Sequence, residues 1–363
     1  MRPAQRLRPV VRVAAAVAAA VVSFPAVTRP QGRLVHDTLH ARALVGNALG
    51  DSPAREVLVY LPPSYDRSSG RRYPVMYLLH GSTSKPVEWV DGTYQGFNLA
   101  RAMDSLVAGG GAEYIVVMPD TDNALGGCFY MNSGVGGRWE DVVARELVRH
   151  VDERYRTIAR RESRGLVGHS SGGFGVLYLA PRHADTFGAV YAMSPCCLGF
   201  FASLAPTSPR WTRLARALGD TVQPSQNGSD VWRGDAMSAA MVPLDARPPF
   251  RGYTGYLPFV PSSDGTLTPN ERVLAIWRDR LPVERVDRDR AALGRLTAFA
   301  VDVGRADSGV VAGTRAYVRA LERLGVRPRV EEYDGGHIDR VRERFERVVL
   351  PFFARVLRPT PSG

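Results

Sequence analysis

Short runs of apolar residues recur along the chain, and each ends at a polar or glycine-rich corner. Runs of this kind are typical of strands that are buried on both faces of a sheet. An earlier, partly alternating run is closed by two prolines, which indicates one more strand. The predicted strands are Arg55–Leu61, Val75–Leu79, Tyr114–Met118, Leu166–Val167, Ala189–Met193, Leu296–Val303 and Val330–Tyr333.

Between these runs the apolar residues recur with the spacing of amphipathic helices. The predicted helices lie around Leu99–Val107, Trp139–Val151, Phe174–Leu179, Val311–Leu324 and Val341–Leu357. Strands that alternate with helices predict an α/β fold, with a mostly parallel central sheet and helices on both faces. The stretch that holds His36 and His40 shows neither pattern and is interpreted as a polar segment.

Residues 34–357 are predicted to form one domain. Within it, Leu198–Arg290 interrupts the alternation of strands and helices. This segment is far longer than an ordinary connection. It contains three tryptophans, at positions 211, 232 and 277, and many prolines and glycines. We expect an inserted cap or lid with an irregular structure held by aromatic packing; a surface decoration remains the alternative.

The N-terminus predicts export. Four arginines precede an apolar run, Val13–Val22, and no acidic residue comes before Asp37. This is the layout of a signal peptide, here residues 1–26, and the run is shorter than the roughly 20 residues that span a bilayer. A retained membrane anchor is the alternative. In both cases the folded body lies outside the cytoplasm: secreted, periplasmic or associated with the cell envelope.

The net charge of +11 does not indicate a nucleic-acid partner, because the many arginines are scattered among acidic residues and Lys85 is the single lysine. The three cysteines, Cys128, Cys196 and Cys197, allow one disulfide in an exported protein, and free thiols are equally open. No spacing typical of metal ligands occurs, and we expect neither a metal nor a cofactor. The pattern leaves the oligomeric state undetermined.

One motif points to nucleophilic catalysis. Gly168–Gly172 (GHSSG) is the single G-x-S-x-G in the chain, and it stands between a predicted strand and a predicted helix. A serine in this context projects from a sharp turn whose flanking positions have no room for side chains. Ser170 is therefore the predicted nucleophile.

A serine hydroxyl needs a histidine that takes its proton, and a third group that orients the histidine. Of the seven histidines, His337 directly follows the last predicted strand, at the sheet edge expected for Ser170. The orienting acid should come between the two in the chain. Asp307, beyond the end of a strand, is favoured over Asp302, which lies within that strand; helix capping is the competing role for Asp307.

An oxyanion in such a site is bound by two main-chain N–H groups, one after the nucleophile and one after the third strand. The corresponding residues are Ser171 and Ser82. Trp139 begins a predicted helix, where it either lines the cleft or anchors the helix in the core.

Several motifs together resemble the esterase D family of α/β-hydrolases. They are Leu61–Tyr65, Tyr73–Val75, Leu78–Gly81, Phe129–Tyr130, Asn132–Ser133, Trp139–Glu140, Gly168–Gly172 and Gly335–His337. The family includes S-formylglutathione hydrolases, feruloyl and acetyl-xylan esterases, enterochelin esterases and secreted mycolyltransferases. The resemblance implies an α/β-hydrolase fold with Ser170, Asp307 and His337 as triad and Ser82 and Ser171 at the oxyanion. The loop at Asp307 departs from the family by lacking its second acid.

The predicted function is therefore an exported serine esterase that acts on a small-molecule or carbohydrate-linked ester through an acyl-enzyme, without a cofactor. Two alternatives remain at this point. An acyltransferase would pass the acyl group from the same machinery to a sugar or another alcohol. A non-catalytic protein of the same fold would bind cell-wall glycan or a siderophore.

Overall fold

The computed structural model describes residues 31–219, 236–246 and 256–357. The predicted signal peptide, residues 1–26, lies outside the described residues, and so does Trp232. The described part of the chain is organised around one eight-stranded sheet, with two short hairpins outside it.

The strands are short, and most are buried over their whole length. Their bounds are β1 (Arg33–His40), β2 (Ala54–Leu61), β3 (Val75–Leu79), β4 (Ile115–Pro119), β5 (Asn132–Ser133), β6 (Gly137–Arg138), β7 (Arg164–His169), β8 (Ala189–Met193), β9 (Phe259–Pro261), β10 (Leu267–Pro269), β11 (Ala298–Gly304) and β12 (Arg329–Tyr333).

The helices connect these strands, and two of them continue through a short π-helical stretch. Their bounds are α1 (Leu99–Ala108), α2 (Trp139–Asp141), α3 (Leu147–Arg154), α4 (Ser171–Arg182), α5 (Pro209–Gly219), α6 (236–240), α7 (Glu271–Arg278), α8 (Pro282–Leu293), α9 (Val311–Arg323), α10 (Val341–Arg344) and α11 (Leu350–Val356); the π-helical stretches are Val142–Glu146 and Phe345–Val349.

The strand order of the large sheet is β1-β2-β4-β3-β7-β8-β11-β12. The pairs β1–β2 and β2–β4 are antiparallel, and every other pair is parallel. The mostly parallel sheet expected from the sequence is thus confirmed. Because parallel strands end at the same edge, the loops after β3, β7, β8, β11 and β12 meet there.

Helices cover both faces of the sheet. Neighbouring residues of β2 point to opposite faces, so Val57 and Val59 pack on one core cluster and Leu58 and Tyr60 on the other. The first cluster includes α4 and Trp139, which is fully buried. Of the two roles considered for Trp139, the structure supports that of a helix anchor.

The interpretation of the segment around His36 as merely polar was wrong. Arg33–His40 forms β1, which pairs antiparallel with β2 along its whole length. Only Asp37 and Leu39 of this strand are buried. A strand at the sheet edge with one covered face shows no continuous apolar run, so its pattern gave little signal.

The inserted segment is more regular than expected. Its described residues include four helices, α5 to α8, and the hairpin β9–β10. Aromatic packing is present as well: the ring centroids of Trp211 and Trp277 lie 5.5 Å apart. Helix α8 packs against α4 and α9 of the main domain, so this end of the predicted insertion belongs to the layer that covers the sheet. Among the described residues, no helix is long and apolar enough to cross a membrane.

Candidate active site

The turn between β7 and α4 holds Ser170 in an unusual backbone conformation, with φ 59° and ψ −119°. A positive φ is costly for a residue with a side chain, and it persists where the surroundings demand it. The flanking glycines allow the tight turn: a Cβ on Gly168 would lie 2.4 Å from the carbonyl carbon of Gly172, and one on Gly172 would lie 2.3 Å from the carbonyl oxygen of Leu79. Larger residues at either position would break the turn.

Ser170, His337 and Asp307 form one hydrogen-bonded chain. The Nε2 atom of His337 lies 2.9 Å from Oγ of Ser170, and its Nδ1 atom lies 2.6 Å from Oδ2 of Asp307. An ionised carboxylate only accepts hydrogen bonds, so Nδ1 carries the hydrogen and Nε2 is free to accept one from the serine. The arrangement prepares His337 to remove the serine proton.

Close contact between two loops sets the distance from His337 to Asp307. Gly304 ends β11, and a Cβ there would lie 2.2 Å from the carbonyl oxygen of Gly335. The Ala306 N–H also donates to that carbonyl, at 3.0 Å. Asp307 is 7% exposed, and its carboxylate faces His337. No side chain makes a capping bond to the start of α9, so the competing capping role for Asp307 is not seen.

Asp302, the alternative acid, has different partners. It is fully buried within β11, where Oδ2 accepts hydrogen bonds from Tyr191, at 2.8 Å, and from Nε of Arg344, at 3.0 Å. Burial raises the pKa of Asp302, and the Arg344 charge opposes this rise. The structure therefore joins Asp307, and not Asp302, to His337.

The loop after β3 lies against the nucleophile. A Cβ on Gly81 would lie 3.4 Å from Cβ of Ser170, and the hydroxyl of Ser82 donates to Oγ of Ser171 at 3.0 Å. Both residues assigned to the oxyanion are thus beside Ser170. His80 supports the loop: its Nδ1 lies 2.8 Å from the Gly81 carbonyl oxygen, while its Nε2 accepts the main-chain N–H of Thr121 at 2.9 Å.

The three cysteines are free thiols. Burial raises the pKa of Cys128 to about 12, which makes this thiol unreactive at neutral pH. The other two follow β8 at the active-site edge, where the Cys196 N–H donates to the main-chain carbonyl of Ser170 at 3.2 Å. The side chains of Cys196 and Cys197 share a hydrogen bond, which raises the pKa of Cys196 and lowers the pKa of Cys197.

One residue of the site was missed by the sequence analysis. His169 occupies the first variable position of the G-x-S-x-G motif, which predicts no role for it, yet it is buried and its ring contacts His337. A histidine at the last position of a buried strand was the available signal, because burying a polar ring requires a hydrogen-bond partner. Among the described residues, the active site included, no group of three or more His, Cys, Asp or Glu residues is placed to hold a metal ion.

Comparison with known proteins identifies the family. The family described as "Putative esterase" matches residues 47–237. Esterase Rv1288 of Mycobacterium tuberculosis is 27% identical over 319 residues, which cover 87% of this chain and 59% of that protein. The chain thus spans less than two thirds of the length of this relative.

Solved structures share the fold. A ferulic acid esterase aligns with a TM-score of 0.60 and 23% identity, covering 91% of this chain and 99% of the other. An S-formylglutathione hydrolase from Agrobacterium tumefaciens aligns with a TM-score of 0.58 and 17% identity, covering 91% and 98%. These alignments confirm the predicted α/β-hydrolase fold.

Proposed function

Because the chain belongs to the esterase family that its residues 47–237 match, we propose that it is a serine hydrolase that cleaves carboxylic esters. One observation carries this proposal: the continuous hydrogen-bonded chain from Asp307 through His337 to Ser170. A base 2.9 Å from the serine hydroxyl is the arrangement that activates a serine as a nucleophile. Strained backbone, as at Ser170, is also typical of active sites. The same hydrogen-bonded chain supports a catalytic role over a purely binding role for this protein.

The first half of the reaction forms an acyl-enzyme. Oγ of Ser170 attacks the ester carbonyl while Nε2 of His337 takes its proton, and Asp307 stabilises the resulting imidazolium. The carbonyl oxygen becomes an oxyanion, which the main-chain N–H groups of Ser82 and Ser171 bind. Collapse of the intermediate breaks the bond to the alcohol, which leaves with the proton from His337.

The second half releases the acid. A water molecule gives a proton to Nε2 of His337 and attacks the acyl carbonyl, so that the same two N–H groups bind the second oxyanion. The carboxylic acid then leaves, and Ser170 regains its proton. Each step needs only the residues named here together with water.

The test compares the wild type with Ser170→Ala on p-nitrophenyl esters of increasing chain length. We expect the wild type to release p-nitrophenol and to be labelled by a fluorophosphonate, and the variant to lose both. Feruloyl and acetylated-sugar esters belong in the same panel, because relatives and structural neighbours include feruloyl esterases. Equal activity of the variant, or a label on another serine, contradicts the proposal. Added alcohols that divert the product from acid to new ester would identify an acyltransferase.

We propose that the inserted segment after β8 covers the cleft and selects the substrate. It leaves the sheet at the edge where Ser170 lies, and α6 is fastened to the main domain: the hydroxyl of Ser133 donates to the Ala239 carbonyl at 2.6 Å. A cover that excludes water would line an acyl or alcohol pocket. In a folded variant with a short linker in place of residues 198–281, the rate ratio for bulky and small esters should change. An unchanged ratio contradicts the proposal.

We also propose that the protein is exported, because its arginine-rich start followed by Val13–Val22 has the layout of a signal peptide. The full chain and a form lacking residues 1–26 can be expressed side by side in a bacterial host. We expect the full chain outside the cytoplasm and the shortened form inside. N-terminal sequencing of the exported protein distinguishes cleavage near Ala26 from retention as an anchor, and cytoplasmic accumulation of the full chain contradicts export.

A further inference from the structure

We propose that His169 is a positioning residue, which holds the loop that carries His337 by a hydrogen bond from its ring to the main-chain carbonyl of His337. This inference rests on the proposed function for its kinetic consequence. The bond itself is seen in the structure: Nε2 of His169 lies 2.8 Å from the His337 carbonyl oxygen. It joins the strand that ends at the nucleophile directly to the loop that carries the base.

The bond determines the tautomer of His169. A carbonyl oxygen only accepts, so Nε2 of His169 must carry the hydrogen. Burial, together with the charge on a protonated His337, lowers the pKa of His169 to about 4. His169 thus stays neutral at physiological pH, with its Nε2–H committed to the carbonyl. Through this nitrogen, His169 acts as a hydrogen-bond donor.

The ring of His169 packs against two other rings. Its centroid lies 4.7 Å from that of His337, with the planes tilted by 43°. Tyr94 packs edge-on, with its centroid 6.2 Å from that of His169. Tyr94 is itself stacked on Trp89, with centroids 4.8 Å apart. Since this stack leaves His169 little freedom, the position of its Nε2–H is well defined.

Other hydrogen bonds hold the loop at His337 to itself and to the loop after β11. The Gly335 carbonyl accepts the Ala306 N–H, and the Gly336 N–H donates to the Asp339 carboxylate at 2.7 Å. Asp339 belongs to the same loop, so its bond gives no link to Ser170. Besides the hydrogen bond between the His337 ring and Ser170, the bond from His169 links this loop directly to the strand that leads to the nucleophile. A displacement of about 1 Å of the base can cost on the order of 100-fold in rate.

Two substitutions separate the hydrogen bond from the packing. His169→Phe keeps a buried ring and removes the donor. His169→Gln places an amide N–H near the position of Nε2. We expect the Phe variant to lose about tenfold to a hundredfold in kcat with an unchanged KM, because substrate binding does not need the base. The Gln variant should recover most of the loss.

A second readout does not depend on activity. The proton on Nδ1 of His337, bonded to Asp307 at 2.6 Å, should give a far-downfield proton resonance in NMR. We expect this resonance in the wild type and in His169→Gln, and a broadened or lost resonance in His169→Phe. If the Phe variant does not fold, His169→Asn replaces it, because its shorter side chain does not reach the carbonyl.

The outcomes distinguish the two proposals. A folded His169→Phe variant with the kcat and the resonance of the wild type overturns the role of His169. Equal impairment of the Phe and Gln variants also overturns it, because ring packing and not the donor would then matter. A wild type without ester hydrolysis contradicts the proposed function alone, since the resonance still reports on His169.

Discussion

Two carboxylates of the same strand and its following loop illustrate how position determines chemistry. Asp302 and Asp307 are five positions apart, both are buried, and each contacts a basic side chain. Asp302 is enclosed within the sheet and binds Arg344, which is 5% exposed. Asp307 lies beyond the end of the strand and binds His337, whose side chain is 35% exposed. The first pair is sealed in the core, whereas the second opens onto the place where a substrate would bind.

The difference shows that the chemical role of a buried carboxylate depends on its basic partner as much as on its burial. An arginine keeps its proton at every accessible pH, so the Asp302 cluster can stabilise the fold but cannot pass a proton. Glu331 extends that cluster, and Arg344 lowers the Glu331 pKa through a hydrogen bond. A histidine gains and loses its proton near neutral pH, so the pair at Asp307 can take part in a reaction. Asp302 could take the role of Asp307 only if its partner were a histidine in place of Arg344.

The largest expected effect that tests this comparison is on catalysis. Asp307→Asn should lower kcat by about 10⁴-fold, because the amide NH₂ can donate to Nδ1 of His337 and so favour the wrong tautomer. Thermal unfolding should change little. Turnover of p-nitrophenyl acetate and circular dichroism measure the two quantities. Near-normal turnover in a folded variant would show that Asp307 is not the orienting acid.

The matched change in the strand should act on stability. Asp302→Asn leaves the buried Arg344 charge with reduced compensation, and breaking such a pair costs about 3–5 kcal/mol of unfolding free energy. The activity per folded molecule should stay near that of the wild type. Urea unfolding, with activity measured well below the transition, checks both quantities. A stable but inactive variant would reverse the assignment of the two acids.

A smaller effect concerns stability in acid. Because the folded-state pKa of His169 is lowered to about 4, an unfolded chain takes up a proton here near pH 6.5, before the folded chain does. The resulting stability is complete above pH 6.5 and is lost as the pH falls to 4, by at most about 3 kcal/mol. The titratable groups that face this ring are His337, Asp307 and Tyr94.

The measurement compares His169→Gln with the wild type in urea unfolding between pH 7 and pH 4. The variant lacks the ionisable ring, so its unfolding free energy should fall less steeply with acid over this range. Parallel curves for the two proteins would show that His169 contributes nothing to acid sensitivity.

The smallest effect is expected at an exposed ion pair, which serves as the control for Asp302. Arg315 donates two hydrogen bonds to Glu332, at 2.8 and 2.7 Å, on the surface of the sheet edge. Solvent screens such pairs, so Glu332→Gln should leave the unfolding midpoint unchanged within error. A loss similar to that of Asp302→Asn would mean that burial does not explain the difference.

Much of the framework was predictable from local patterns. Strands buried on both faces, such as β3 and β8, are continuous apolar runs, and the elbow at Ser170 is marked by glycines that no other residue can replace. The predicted family is confirmed by the match to residues 47–237. The edge strand β1 and the helices of the inserted segment escaped prediction, because partial burial weakens periodicity.

The sequence by itself determined which residues are candidates for the chemistry: a serine in a glycine-bounded turn, a histidine after the last strand and an acid between them. Only the tertiary structure decided which acid meets the histidine and which group His169 contacts. The reason is physical, because hydrogen bonds depend on distances of about 3 Å between residues far apart in the chain. His169 and His337 are separated by 168 positions. Their contact is made by the parallel alignment of β7 and β12 within one sheet, which brings the ends of both strands to one edge.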